Sequence, residues 1–200
     1  MKTLSPIPPS WRPFLVPEMD HSSTLGKEFQ RHLDDAKDER PLQLFLMANR
    51  TLLTPLLPLG VGAWVWDRPQ LGSEFVPDFL LCTRNCAGCH WLMLEIESPK
   101  ANPLLKNGLP GAKLREAQGQ IQDWRIWIRD NISYAQTQLG FQGLTAEAQA
   151  VIVIGRRSAI DTKHAKKWRE INTNDTRIMT YDRLMDTLKT GRTICGDTNG

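Results

Sequence analysis

The chain has 200 residues, of which 40% are hydrophobic and 24% are charged, a composition typical of a globular domain and not of a disordered chain. Its 25 Lys and Arg against 22 Asp and Glu leave a net charge of +3, which is too small to indicate nucleic-acid binding from bulk charge alone. No apolar stretch reaches the roughly 18 residues of a membrane-spanning helix, and no secretory signal opens the chain. We therefore expect a cytoplasmic protein with one compact domain and no membrane partner.

Proline content divides the chain into three predicted regions. Five prolines up to position 17 predict an extended arm over residues 1–25, either a linker or a docking strap, because proline has no backbone N–H to donate. The globular domain is expected over 26–192. The polar residues 193–200 are expected to form a flexible tail.

Hydrophobic periodicity predicts the first half of the domain. Apolar residues at i, i+3 and i+4 predict a helix over 38–49. Strand-like segments follow at 61–67, 74–82 and 90–97, and the short connections between them favour an antiparallel meander. An apolar stripe from Leu114 to Ile128 predicts the longest helix, over 112–131.

The second half continues with alternating strands and helices. The apolar run 149–154 predicts a strand buried on both faces at the centre of the sheet. A basic helix at 161–171, a strand at 177–181 and a helix capped by Asp182 complete the order α-β-β-β-α-β-α-β-α. The fold class predicted is therefore α/β, with helices layered on a mixed sheet.

Three carboxylates are candidates for chemistry. Asp78 lies at the predicted 74–82 strand, and Glu95 and Glu97 share a face of the next strand, since side chains alternate. If the strands pair, Asp78 and Glu95 can bind Mg²⁺ or Mn²⁺, and such an ion suits phosphodiester hydrolysis. The alternative is that all three are solvated residues on exposed faces.

Three cysteines and a histidine, Cys82, Cys86, Cys89 and His90, lie in the predicted turn between these strands. The spacing matches the c-type haem attachment string, which we exclude because that attachment requires export. A structural Zn²⁺ is one interpretation of the cluster, and free thiols on a hairpin tip are the other. In a reducing compartment we expect no disulfide.

Basic residues after the 149–154 strand are candidates for DNA contact. Arg156 and Arg157 could bind phosphates at the end of that strand. The following helix adds Lys163, Lys166 and Lys167, which supply salt-sensitive affinity for a polyanion or simply form a solvated helix face. Two tryptophans of the long helix, Trp124 and Trp127, are interpreted as core or subunit-interface residues.

The wider pattern resembles a known group of nucleases. Glu39 opens the first helix, Asp78 follows Pro77, Glu95-x-Glu97 lies on the next strand, and Gln120 lies on the long helix, an arrangement similar to the PD-(D/E)xK nuclease superfamily. More narrowly, the strings EIESP, QIQDWRIWI, IGRR and IMTYDRL resemble the nuclease domain of the Shedu anti-phage defence family, over about residues 27–188. The resemblance implies a restriction-endonuclease-like αβββαβ core followed by a helix, a strand and a helix.

The resemblance also implies roles for individual residues. Asp78 and Glu95 would bind the metal together with the Ile96 carbonyl, and Glu39 could reach the same ion. Glu97 occupies the position where the superfamily signature has a lysine. It could act as a general base or a further ligand.

Two more roles and an overall function follow from the resemblance. Lys100 could supply the missing cation, and Gln120 matches the helix glutamine that supports the site in related nucleases. The implied function is a Mg²⁺- or Mn²⁺-dependent endonuclease that cuts or nicks double-stranded DNA in bacterial anti-phage defence, as a homo-oligomer. The alternative is a catalytically weak DNA-binding or interaction module on a nuclease fold.

Overall fold

A six-stranded mixed sheet organises the protein. The computed structural model describes residues 6–17 and 24–190. The strands follow one another across the sheet in chain order, with β1 to β4 antiparallel and β4 to β6 parallel. Their bounds are β1 Leu15–Val16, β2 Val61–Asp67, β3 Phe79–Asn85, β4 Gly88–Ile96, β5 Gln149–Val153 and β6 Thr176–Met179. The predicted α/β class and the antiparallel meander are confirmed.

Helices cover both faces of the sheet. The α-helices are α1 Leu25–Asp35, α2 Arg40–Ala48, α3 Ala112–Asp130, α4 Ile132–Thr137, α5 Ala165–Glu170 and α6 Tyr181–Thr190. Helix α2 has proline in its first turn, where a missing N–H costs nothing. The predicted basic helix at 161–171 is shorter than expected, because Thr162–His164 forms a separate 3₁₀ turn before α5.

Strand alternation gives the protein two hydrophobic cores. Phe79 and Leu81 of β3 pack with α1, α2 and α6 on one face, whereas Leu80 and Cys82 pack with α3 on the other. Strand β5 contributes to both cores, as its apolar run predicts. Its predicted place at the sheet centre is wrong, because β5 is second from the β6 edge. Helices on its two faces, and not a central position, account for its burial.

The first strand of the sheet comes from the proline-rich arm. Pro9–Phe14 forms a 3₁₀ helix, and β1 then pairs with β2. Trp11 is buried, and its indole N–H donates to the Gly140 carbonyl at 2.7 Å. Residues 6–17 thus contact the sheet through β1 and through Trp11. The predicted tail 193–200 lies outside the described residues.

Tryptophans fill the core and leave little for a subunit interface. Trp11, Trp64, Trp66, Trp91, Trp124 and Trp127 are all buried, and Trp168 is partly buried against the same core. Trp124 and Trp127 are therefore core residues. The predicted homo-oligomer gains no support from tryptophan content. No helix in the described ranges is long and apolar enough to span a membrane.

Candidate active site: the carboxylate cleft

A cleft of about 830 Å³ opens between α2 and α3, where β3 begins and β4 ends. Six carboxylates line it. Four of them were predicted from sequence, namely Glu39, Asp78, Glu95 and Glu97, and the other two are Glu116 and Asp123 of α3. We call this the carboxylate cleft. Glu39 is the residue before α2, Asp78 precedes β3, and Glu95 and Glu97 lie at the end of β4. The structure therefore brings together all four acidic residues predicted from sequence.

The start of β3 explains how Asp78 reaches this cleft. The strand was expected over 74–82 but begins only at Phe79, because Leu71 and Phe75 form an isolated bridge and Pro77 has no N–H for a ladder. Phe79 pairs with Leu94 in the antiparallel register, so Asp78 lies opposite Glu95. One face of the hairpin thus carries both carboxylates.

Hydrogen bonds fix the Asp78 side chain from two sides. The Gln43 amide of α2 donates to Oδ1, and the Ile96 backbone N–H of β4 donates to Oδ2 at 2.9 Å. The Asp78 carbonyl also accepts from the Arg68 N–H at 2.9 Å. Asp78 therefore joins α2 to the end of β4. Gln43 was missed from sequence, although it lies one helical turn after Glu39 on the same face of α2.

Burial and like charges set the electrostatics of the cleft. Glu95 is 7% exposed, and burial, followed by the charges of Asp78 and Glu97, raises its pKa to about 9. Burial also raises the pKa of Asp78 to about 6, against the opposing effects of the Ile96 N–H and the Arg68 charge. These acids favour a proton chiefly because burial removes water from the carboxylates, and for Glu95 because like charges lie close by. A divalent cation would supply a compensating positive charge.

Glu97 has a lysine partner that the sequence interpretation did not select. Lys113 of α3 places its Nζ 3.9 Å from Glu97 Oε2 and 2.9 Å from Glu116 Oε2. Burial raises the pKa of Glu97, and the Lys113 charge opposes that shift. Lys100, the predicted cation, is exposed and lies outside the cleft lining. The lysine beside Glu97 therefore comes from the helix and not from the loop after the strand.

Helical spacing was the signal for this lysine. Lys113, Glu116 and Gln120 are separated by three and four residues, so they form one stripe of α3 that faces the cleft. Gln120 is exposed on this wall, where the resemblance predicts it. Its supporting role stays a prediction.

The donor atoms of the cleft suit a hard cation held by two carboxylates. Asp78 and Glu95 offer the oxygens that Mg²⁺ prefers, and Mg²⁺ is often bound by one or two carboxylates together with water. Across the described ranges, no three or more His, Cys, Asp or Glu side chains are arranged to hold a metal ion. Glu39 lines the cleft without completing such a set. The residues present thus fit a magnesium or manganese ion through Asp78 and Glu95.

The cysteine cluster at the other end of the hairpin does not converge. Cys82 is buried, Cys89 is partly buried and Cys86 is exposed, and all three are free thiols. His90 pairs with Thr83, whereas Cys82 pairs with Trp91, so the imidazole lies on the opposite face from Cys82. His90 Nε2 instead lies 2.8 Å from Asn85 Oδ1. Among the described residues, strand alternation therefore separates the candidate zinc ligands, and the thiols are free, as the other interpretation expects.

The predicted phosphate clamp is occupied by ion pairs. The Arg156 guanidinium contacts Asp182 and Asp34, each at 3.1 Å, and Arg157 pairs with Asp186. Neither arginine lines the carboxylate cleft. These aspartates come from α1 and α6, which sequence spacing could not connect to position 156. These ion pairs hold both guanidinium groups in the present structure, and DNA contact by Arg156 and Arg157 stays a prediction.

Lys100 and three lysines of the 163–167 segment, all predicted to contact DNA, also lie outside the cleft lining. Lys163 pairs with Asp161 at 2.8 Å, and Lys166 pairs with Glu170 at 3.7 Å. Lys167 donates to the Asn107 carbonyl at 3.2 Å. All four side chains are exposed, and their contact with DNA also stays a prediction.

Comparison with known proteins identifies the family. A family model described as "Shedu protein SduA, C-terminal" matches residues 36–185. The chain belongs to the Shedu family. The matched range contains β2 to β6 and the four predicted acids of the cleft, and family membership assigns this Shedu chain to anti-phage defence. A search of curated proteins gives no match to it.

Proposed function

We propose that this Shedu chain hydrolyses phosphodiester bonds of double-stranded DNA with Mg²⁺ or Mn²⁺. The observation that supports this most strongly is the pair of carboxylates Asp78 and Glu95, which lie opposite each other at one end of the β3–β4 hairpin, the first half-buried and the second buried, beside a large open cleft. Burying two like charges is costly unless a cation or a proton compensates them. A site that carries this cost is typical of metal-dependent phosphoryl chemistry.

Asp78 and Glu95 would hold the ion. When bound, Mg²⁺ lowers the pKa of a coordinated water and stabilises charge that develops on the phosphodiester. The protein contributes orientation: the Gln43 amide and the Ile96 N–H fix both oxygens of Asp78, and the Asp78 backbone N–H donates to Glu95. A preorganised pair of ligands needs no rearrangement when the ion arrives.

Glu97 is placed to accept the proton of the attacking water. Its side chain faces the same cleft, and burial raises its pKa, which makes it a stronger base than an exposed glutamate. Lys113 balances the charge of Glu97 and can contact the scissile phosphate from α3. In this scheme the carboxylate and lysine together perform the work that a strand lysine performs in the superfamily signature.

Basic residues of the cleft wall can bind the DNA backbone. Arg40 of α2, Arg68 and Arg115 of α3 line the cleft together with Lys113. Arg115 donates to the Pro110 carbonyl through one nitrogen, which leaves further guanidinium N–H groups to face a phosphate. These residues are better placed than Arg156 and Arg157 to hold a duplex over the carboxylates.

Plasmid cleavage tests the proposal directly. Purified protein is incubated with supercoiled and linear plasmid in Mg²⁺, Mn²⁺ or EDTA, beside Asp78→Asn and Glu95→Gln. Glu74→Gln is the control, because Glu74 is exposed and lies outside the cleft lining. We expect metal-dependent nicking or cutting by the wild type and the control, and none by the two cleft variants.

The alternative function gives a different result in the same experiment. Binding of DNA without cleavage under every metal condition would contradict the nuclease proposal. It would favour a DNA-binding module on a nuclease fold, with Glu97 in the signature lysine position as the reason. Fluorescence anisotropy with a labelled duplex measures that binding.

A further inference from the structure

Three chain segments are joined by hydrogen bonds behind the carboxylate cleft. The Tyr181 hydroxyl donates to the Glu97 carbonyl at 2.8 Å, and the Tyr181 backbone N–H donates to the Gly155 carbonyl at 3.1 Å. The Gly155 N–H in turn donates to the Ser98 carbonyl at 3.1 Å. We call Glu97, Ser98, Gly155 and Tyr181 the clasp. It joins the end of β4, the end of β5 and the start of α6.

The clasp fixes the backbone of Glu97 just beyond the end of β4. Glu97 lies one residue beyond β4, yet its N–H donates to the Val153 carbonyl at 2.9 Å and its carbonyl accepts from Tyr181. Both backbone polar groups of Glu97 are therefore fixed. Its side chain leaves the backbone between these two anchors, so their positions set where the carboxylate enters the cleft.

Gly155 and Tyr181 each have a structural reason for their position in the clasp. Gly155 has φ +65°, and a Cβ there would come 2.5 Å from the Ala101 carbonyl oxygen, so only glycine allows this approach. Tyr181 is fully buried, with its ring 6.4 Å from that of Phe29. A buried carbonyl that lost the tyrosine hydroxyl would lose the compensation for its desolvation.

The clasp also explains two strings that the nuclease scheme leaves without a role. Gly155 belongs to IGRR and Tyr181 to IMTYDRL. The residues that follow them are joined as well, since Asp182 Oδ2 accepts from the Arg157 backbone N–H at 2.6 Å and Asp182 pairs with Arg156. Both strings therefore meet at one place, directly behind Glu97.

We propose that Tyr181 is a positioning residue, which holds the Glu97 carboxylate in register with Asp78 and Glu95 through the backbone of Glu97. This inference rests on the proposed nuclease function. Its chemical basis is geometric, because displacing a catalytic group by about 1 Å can cost a hundredfold in rate. Tyr181 itself contacts neither DNA nor metal in this scheme.

Three substitutions separate positioning from a general loss of stability. Tyr181→Phe removes the hydroxyl and keeps the ring. Thr187→Val on the same helix removes another hydrogen bond of a buried side chain, from Thr187 Oγ1 to the Arg183 carbonyl at 2.9 Å, without touching Glu97. Tyr134→Phe changes the other tyrosine of the chain, which is exposed on α4.

Steady-state cleavage gives the first readout. For Tyr181→Phe we expect kcat to fall about tenfold to a hundredfold while KM for DNA changes less than about twofold, since the binding residues are untouched. Thr187→Val and Tyr134→Phe should keep the wild-type kcat at a temperature well below their melting points. Equal kcat in Tyr181→Phe and Thr187→Val would overturn the proposal.

Hydrogen–deuterium exchange gives a readout that needs no activity. Tyr181→Phe should increase exchange in peptides that cover residues 95–101, whereas Thr187→Val should increase it only within α6. If the wild type does not cleave DNA, the nuclease proposal fails and the clasp is judged on exchange alone. Unchanged exchange at 95–101 in Tyr181→Phe would then overturn it.

Discussion

The two ends of the β3–β4 hairpin each carry residues whose types suit metal binding, yet only one end gathers them. At the cleft end, antiparallel register sets Asp78 opposite Glu95, and Glu97 lies two residues further on the same face. At the turn end, Cys89 and His90 are consecutive, so they lie on opposite faces. The alternation of side chains along a strand, and not the number of ligand-type residues, decides which end brings its candidate ligands onto one face.

The largest expected difference between the two ends is in metal binding and cleavage. Asp78→Asn should abolish the Mn²⁺ binding that calorimetry detects and lower the rate of DNA cleavage by at least about a thousandfold. The substitution removes the proposed metal ligand and also the carboxylate that fixes the start of β3. Cys86→Ser at the exposed turn should leave metal binding and cleavage unchanged. If Asp78→Asn still cleaves DNA, the proposed difference between the two ends of the hairpin is contradicted.

A smaller effect is expected on the stability of the metal-free protein. Burial and neighbouring charges raise the pKa of Glu95 to about 9 from an ordinary value of 4.5, so the folded protein keeps a proton that the unfolded chain releases. Unfolding therefore releases protons, and the free energy of unfolding should fall as pH rises from about 5 to about 9. Glu95→Gln should flatten this slope and stabilise the metal-free protein at pH 8 by about 2 kcal/mol.

Urea titrations in EDTA at several pH values measure this effect, with Glu74→Gln as the exposed control. Saturating Mg²⁺ should reverse the order and make the wild type more stable than Glu95→Gln, since the ion binds only the folded carboxylates. If the free energy of unfolding changes with pH equally in the wild type and in Glu95→Gln, Glu95 is not the group that causes the pH dependence.

Substitution of the lysine at the cleft is expected to change the cleavage rate about tenfold. Lys113→Met should slow cleavage about tenfold, because Glu97 loses the cation 3.9 Å away and the phosphate loses a contact. Lys100→Met should have no such effect, as Lys100 lies outside the cleft lining. Single-turnover cleavage of a labelled duplex compares the two, and the reverse ranking would restore Lys100 as the relevant lysine.

The smallest effect concerns the thiols at the turn end. A hydrogen bond from Cys82 lowers the pKa of Cys89 to about 7, whereas burial raises the pKa of Cys82 far above its ordinary range. With Cys86 and Cys195 replaced by serine, iodoacetamide at pH 7 should modify Cys89 and spare Cys82. Cys82→Ala should slow modification of Cys89 several-fold, as measured by mass spectrometry. An unchanged rate of Cys89 modification in Cys82→Ala would show that Cys82 does not lower the pKa of Cys89.

Local patterns predicted much of this architecture. The 61–67 strand and the 112–131 helix were found at nearly the same bounds, since their periodicity extends over the whole element. The 74–82 strand was displaced, because proline and a local bridge delay its start. Strand β1 has two residues, too few to show any period.

Prediction of the site divides in the same way. Asp78, Glu95 and Glu97 were found from their spacing on two neighbouring strands, which is a local feature, whereas Glu39 was implied by the resemblance to nucleases. The Arg156 pairing was missed because Asp34 is 122 residues away in sequence, and its proximity depends on how α1 packs against α6. The Tyr181 hydroxyl bond to Glu97 also spans 84 residues. Contacts of this kind follow from packing, which no local pattern encodes.

Trp11 contacts residues that are synthesised at very different times. Its ring packs edge-on against Trp64, Trp66 and Trp91, and its indole N–H reaches a carbonyl 129 residues later. Residue 11 leaves the ribosome long before Gly140 is made, at roughly 5–20 residues per second. The 129 residues between them therefore separate the synthesis of Trp11 from that of its hydrogen-bond partner by about 6–26 s. The hydrogen bond that anchors the Trp11 ring can therefore form only after β2, β3 and β4 have been made.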